Sequence, residues 1–178
     1  MGKYQAHVLS EILDGHAAAV SGDDASAPRV IFTDPQVAAV GLTLQAAMDQ
    51  GVDARAYDVP SSGTAGGAFH GINTPGTARI VVDEQRGVIV GATFTGAGVA
   101  EWLQAATIAI VSKTLIELLW HAVPAFPTRS EIWLKLLERR EADLHGEPAA
   151  TELPAARPIA ETPAQPVRHS HAPVAARR

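Results

Sequence analysis

The chain has 178 residues and a formal net charge of −5, with 47 % hydrophobic and 19 % charged residues. That is enough for one domain with a core. The acidic pI of about 5.8 argues against a nucleic-acid partner, which would demand a basic face. With no cysteine, the chain can form no disulfide, offer no thiolate and build no Cys-type zinc site. No apolar run approaches the roughly 20 residues that span a bilayer. The start, "MGKYQAHVLSEIL", lacks the charged-then-apolar pattern of a signal peptide. A soluble, cytoplasmic protein with no membrane partner is therefore expected.

Residues 1–15 read as an amphipathic helix, with Tyr4, Val8 and Ile12 on one face and Gly15 as a C-terminal stop. Residues 16–28 are an acidic, small-residue linker. "RVIFT" (29–33) is a short apolar strand, and Asp34-Pro35 marks a turn. "QVAAVGLT" follows as strand and turn, and Thr43 is placed to cap a helix over about 44–50 that Gly51 ends. Residues 53–60 suit a strand, and 61–76 form a glycine-rich loop. "TARIVVD" and "GVIVGATFT" are β-rich runs joined by a turn at Glu84-Gln85-Arg86, the pattern of a hairpin. Period-two spacing puts Val88, Val90, Ala92 and Phe94 on one face. After Gly98 the period becomes helical through Val99, Trp102, Leu103, Ala106 and Ile110. Thr114 with Glu117 has capping-box spacing for a short helix to about Trp120. A last helix over about 129–142 carries Ile132, Trp133, Leu136 and Leu137 on one side. From Gly146 the chain holds half of its prolines and is otherwise mostly alanine and polar. This composition buries too little apolar surface to offset ordering entropy, so 146–178 is expected to be a disordered tail.

Few segments carry chemistry. The loop 61–76 lacks both a dinucleotide fingerprint and a P-loop lysine, and reads as a flexible surface loop. "FTGAGVAE" (94–101) reads as a tight strand-to-helix turn. His169 and His171, two imidazoles on the tail, make a poor metal site. His70 is expected to be exposed. His121 has no visible nucleophile or orienting group and suits a helix end. In "HAVPAFPTRSE" (121–131), Thr128 and Glu131 have capping-box spacing, Glu131 and Lys135 an i,i+4 pair, and Pro127 a stiffening role.

Three stretches together resemble a known family. "RVIFTDPQVAAVGLT" (29–43), "ARIVVDEQRGVIVGATFTGAGVAEWLQAATIAI" (78–110) and "HAVPAFPTRSE" (121–131) are similar to the C-terminal dimerisation domain of the pyridine nucleotide–disulfide oxidoreductases, which include dihydrolipoamide dehydrogenase, glutathione reductase and mercuric reductase. "MGKYQAHVLSEIL" looks like the last helix of a preceding flavin domain. The resemblance implies an α/β fold of α+β type: a mostly antiparallel sheet packed with helices, over 29–142, that pairs two subunits. In full-length members, FAD and NAD(P) are held by two preceding domains whose glycine fingerprints are not in this chain. The chain thus resembles a detached or truncated C-terminal part and is expected to bind no cofactor alone.

The family's closing motif, His-Ala-His-Pro-Thr-x-Ser-Glu, carries an acid/base histidine that serves the partner subunit and a glutamate that orients it. Registered on Pro127-Thr128, the histidine position is Phe126; registered on His121-Ala122, it is Val123. Neither moves a proton. Glu131 matches the orienting glutamate, with no imidazole to orient. No residue of this chain is therefore expected to be catalytic or cofactor-binding. Two readings remain open. One is a homodimerising module inactive alone. The other is a component that completes a separate flavin- and NAD(P)-binding polypeptide.

Overall fold

The structure, a computed structural model, describes residues 1–18, 22, 24–70 and 74–146. Helix α1 (Gly2–Leu13) is followed by β1 (Arg29–Ile31), β2 (Gln36–Gly41), α2 (Leu44–Asp49) and β3 (Ala54–Pro60). Then come β4 (Thr77–Asp83), β5 (Val88–Gly96), α3 (Leu103–Val111), α4 (Ile116–Leu119) and α5 (Ile132–Leu144). Three 3-10 turns, Ala65–His70, Val99–Trp102 and Arg129–Glu131, lead into or between them. The five strands form one sheet in the order β1-β2-β5-β4-β3, and each neighbouring pair is antiparallel. The α+β reading therefore holds.

The local chemistry explains most boundaries. The Thr43 hydroxyl accepts from the Ala46 N–H at 3.1 Å and starts α2. At the β4–β5 turn, Asp83 accepts from the Arg86 and Gly87 N–H groups, and Gly87 takes the left-handed φ of 63° that closes it. The turn is one residue longer than 84–86. Gly91 is a close approach: a Cβ there would run into the Leu42 carbonyl.

The face of β5 departs from strict alternation. Val81 faces Gly91 but Val82 faces Ile89, so Val90 is an extra residue, a β-bulge. The bulge shifts the phase. Ile89, not Val88 and Val90, joins Ala92 and Phe94 in the core. Val88 is buried instead by a bridge to Leu115, and the adjacent Gly87 carbonyl accepts from the Ile116 N–H at 2.8 Å. That tie begins α4 at Leu115. The capping box expected from Thr114 and Glu117 is absent, because the Thr114 hydroxyl is paired with Ser112 at 2.6 Å.

The core lies between one sheet face and the helices. Val40, Tyr57, Ile80, Val82 and Phe94 meet Val99, Leu103, Ile116, Ile132 and Leu136. Phe94 is edge-on to both Trp102 and Trp133, with centroids 5.5 and 6.0 Å apart. Helix α5 is also pinned by a polar knot. Arg140 reaches the two Glu84 oxygens at 3.2 and 2.6 Å, and the Tyr57 hydroxyl donates to Glu84 at 2.7 Å. On α1, Val8 is buried, Tyr4 is half-buried with its hydroxyl accepting from the Gly22 N–H at 3.0 Å, and Ile12 is half exposed. Among the described residues, no helix is long and apolar enough to cross a membrane. Residues 19–21 and 23 of the linker and 147–178 of the tail lie outside the described residues, as do the expected tail disorder and the His169/His171 pair.

Candidate functional site: the closing loop

The loop 121–131 joins α4 to α5 at one end of the sheet. His121, Val123 and Phe126 are exposed, Val123 at 81 % and Phe126 at 78 %. Phe126 is therefore no core plug under the helix entry, and Ile132 is fully buried without it. The capping box expected from Thr128 and Glu131 does not form. Thr128 donates its hydroxyl to the Ala125 carbonyl at 2.6 Å, and the chain enters α5 through a 3-10 turn in which the Glu131 N–H reaches the Thr128 carbonyl. Nor does Glu131 pair with Lys135, which holds Glu138 at 2.9 Å.

What supports the loop is a contact the sequence did not advertise. The Arg129 guanidinium lies over the Trp102 ring, 4.5 Å from its centroid. Such a stack contributes about 0.5–2 kcal/mol, more as water is excluded. Burial lowers the Arg129 pKa from its ordinary value, but the group stays charged. The glycine-rich segment supplies a second support. It is not a free surface loop in its described part: Ser61 and Thr64 are buried, and the Thr64 hydroxyl accepts from the Gly67 N–H at 3.0 Å. A Cβ on Gly66 would collide with the Thr128–Arg129 backbone, so only a bare Cα fits there. The backbone of His70 belongs to this 3-10 turn.

Three buried side-chain atoms have no hydrogen-bond partner among the described residues: Gln36 Oε1, Arg129 Nε and Glu131 Oε2. They share one end of the sheet. Gln36 faces Gly96 across β2 and β5, and two residues on, Gly98 abuts the Arg129 guanidinium. Among the described residues no three His, Cys, Asp or Glu side chains converge as a metal site would require. The loop thus combines a buried Glu131 oxygen that has no hydrogen-bond partner among the described residues with an exposed Phe126 ring, which can pack but cannot carry a proton.

Residues 27–137 match the family of the pyridine nucleotide-disulphide oxidoreductase dimerisation domain. The chain belongs to this family. It is 33 % identical over 136 residues to a dihydrolipoyl dehydrogenase of Geobacillus stearothermophilus, covering 76 % of this chain and 28 % of that protein. It is 34 % identical over 128 residues to one of Mycobacterium bovis, covering 71 % and 27 %. The chain therefore spans little more than a quarter of the length of these relatives. Solved structures with the same fold include LpdA from Mycobacterium tuberculosis, with a TM-score of 0.69, 18 % identity, and coverage of 77 % of this chain and 29 % of that one. Another is a NAD-dependent persulfide reductase from A. fulgidus, with a TM-score of 0.68, 18 % identity, and coverage of 80 % and 27 %. At such identities the likeness speaks for the fold alone. The family match covers β1 to the middle of α5, and so the closing loop with Phe126 and Glu131 as well as the sheet.

Proposed function

We propose that this chain is the dimerisation module of a flavin-dependent NAD(P)H oxidoreductase, pairing with a second copy and inactive alone. Residues 1–15 would be the end of a flavin domain, 16–28 a linker, 29–142 the pairing domain and 146–178 an appended tail. The observation that carries the reading is the exposed Phe126 at the family's histidine position, with a Glu131 oxygen buried nearby in sequence and left unpartnered. A loop of that composition cannot deliver acid–base chemistry to a thiol. An assembled protein would then serve acceptors other than the usual disulfides. FAD and NAD(P) would be held by domains outside this chain, and the absence of a membrane-length helix among the described residues agrees with a cytoplasmic location. The alternative is that the same surface completes a separate FAD- and NAD(P)-binding polypeptide.

Purification tests the reading. The chain should emerge colourless, oxidise no NAD(P)H with added FAD, and sediment as a dimer. Stoichiometric flavin absorbance, or NAD(P)H oxidation by the chain alone, would overturn its inactivity in isolation. A dilution-stable monomer would overturn its role as a self-pairing module.

A further inference from the structure

An open groove of about 530 Å3 lies at the end of the sheet away from the closing loop. Along β2 and β5, Gln36 faces Gly96 at the loop's end, whereas Gly41 faces Gly91 at the groove's end. Leu42, Val90 and Ile110 give the groove an aliphatic lining, and Asp24, Arg86 and Lys113 bring charge to it. Two local features that cost stability converge there. Val90 is the extra residue of the β5 bulge, and its side chain lines the groove instead of joining the core. Lys113 ends α3 with a φ of 50°, the one positive value at a non-glycine among the described residues. The Thr114 N–H reaches back to the Ala109 carbonyl at 3.0 Å, a helix ending that glycine adopts freely and a residue with a Cβ does not. The Lys113 side chain has no hydrogen bond or ion pair among the described residues. Arg86 Nη1 lies 3.8 Å from Asp83 Oδ2, beyond hydrogen-bond reach.

We infer that this groove is a binding site for a small aliphatic monocarboxylate. The aliphatic lining takes the body of such a ligand out of water. The Arg86 guanidinium and the Lys113 ammonium, both without a close counter-charge, take its carboxylate through charge-assisted hydrogen bonds. Asp24 limits how much negative charge fits. Its Oδ1 already accepts from the Ser26 N–H at 2.7 Å, and its carboxylate repels a second one. Two cations against one carboxylate leave a single positive charge for the ligand to answer, which favours a monoanion over a phosphate ester. An uncharged body would fill the lining and leave both cations unanswered. The site stands apart from the closing loop, so it depends on neither the pairing of two copies nor a flavin.

The probe is octanoate, titrated into the full chain and followed by the NMR methyl resonances of Leu42, Val90 and Ile110. Saturable shifts at these methyls are expected. Octanol, which has the body without the charge, should bind at least about threefold more weakly. Lys113→Gly and Arg86→Gln should each weaken octanoate binding by about threefold to tenfold. Lys113→Gly should also melt no lower than the parent, because glycine relieves the left-handed backbone; its lost binding is then not lost folding. Arg86→Gln, in the β4–β5 turn, gives a second check that leaves α3 untouched. An absence of shifts, or shifts confined to methyls elsewhere such as Ile108 and Leu118, would overturn the site. Octanol binding as tightly as octanoate would overturn the role of the two cations. So would variants that bind like the parent, and Lys113 would then be only a charge that answers the negative end of α3.

Discussion

At the residue scale, the closing loop separates what a position looks like from what it does. Phe126 is a large aromatic with most of its surface in water, so its removal creates no cavity. Phe126→Ala should change stability by no more than about 0.5 kcal/mol, as at an ordinary surface site; urea unfolding checks this, and a loss of about 3–5 kcal/mol would make it a core residue. Gly66 is the reverse case, since a small residue in a loop suggests tolerance. A Cβ there would run into the backbone of Thr128 and Arg129, which cannot rotate away as a side chain can. Gly66→Ala should cost about 1–3 kcal/mol, as overpacked sites do, and should loosen the loop to proteases. The aromatic at position 126 could be read from the sequence, because a one-letter departure from a motif needs no coordinates. The Gly66 contact could not, since more than sixty positions separate it from Thr128. Nor could the Arg129–Trp102 stack, which requires knowing that the turn after β5 and the entry to α5 meet.

At the element scale, α5 is held by apolar contacts along one side and by the Glu84–Arg140–Tyr57 knot near its end. Burial pushes the Glu84 carboxyl up, but the Arg140 guanidinium and the Tyr57 hydroxyl outweigh it and hold Glu84 below the usual carboxylate range. Burial first, then the Glu84 carboxylate, pushes the Tyr57 hydroxyl up to about 12. The two shifts bracket a pH window. Glu84 contributes stability that is present above its unfolded value, near 4.5, and lost as pH falls through its lower folded value. Tyr57 contributes stability that is present below 10 and lost between about pH 10 and 12. Thermal melts should therefore be flat through neutrality and fall at both ends. In Glu84→Gln the acid-side fall should be shallower. That variant should also lose about 1–3 kcal/mol at pH 7, because it removes the charge that faces Arg140; an unchanged melting curve would mean the knot contributes nothing. The elements themselves were legible from apolar periodicity and from Thr43, Gly51 and the β4–β5 turn. The caps at Thr114 and Thr128 were misread for one reason. A hydroxyl and a carboxylate at the right spacing also have other partners, and here Ser112 and the Ala125 carbonyl took the hydroxyls.

At the scale of the whole molecule, strand order was not written in any local pattern. β1 and β2 are followed by α2 and β3, yet β2 lies against β5, in the middle of the sheet. The family resemblance supplied the fold class, and the sheet then needed the coordinates. The same holds for the surface. Composition announces a core, but not that Ile108, Val111 and Leu118 stay outside it on one side. Their exposure predicts a concentration-dependent particle. The sedimentation coefficient should rise with loading over the micromolar range, and apolar-dye binding should fall in step as the faces cover one another. Dye binding that ignores concentration would place the exposed patch elsewhere.

The pairing of β2 with the central strand β5 also sets a timetable. β4 and β5 pair residues that are 5 to 16 positions apart, whereas β2 and β5 pair residues 50 to 60 apart. Closing the longer loop costs more entropy before any contact returns it. Ile80→Val in β4 should therefore slow folding by more than it speeds unfolding, and Val40→Ala in β2 should do the opposite. During synthesis at about 5–20 residues per second, β2 emerges roughly 3 to 12 seconds ahead of the strand it must lie against. Through that interval β1 can cover one edge of β2, but the backbone groups of the other edge stay unpaired, which leaves residues 36–41 open to pairing with a wrong strand until β5 arrives.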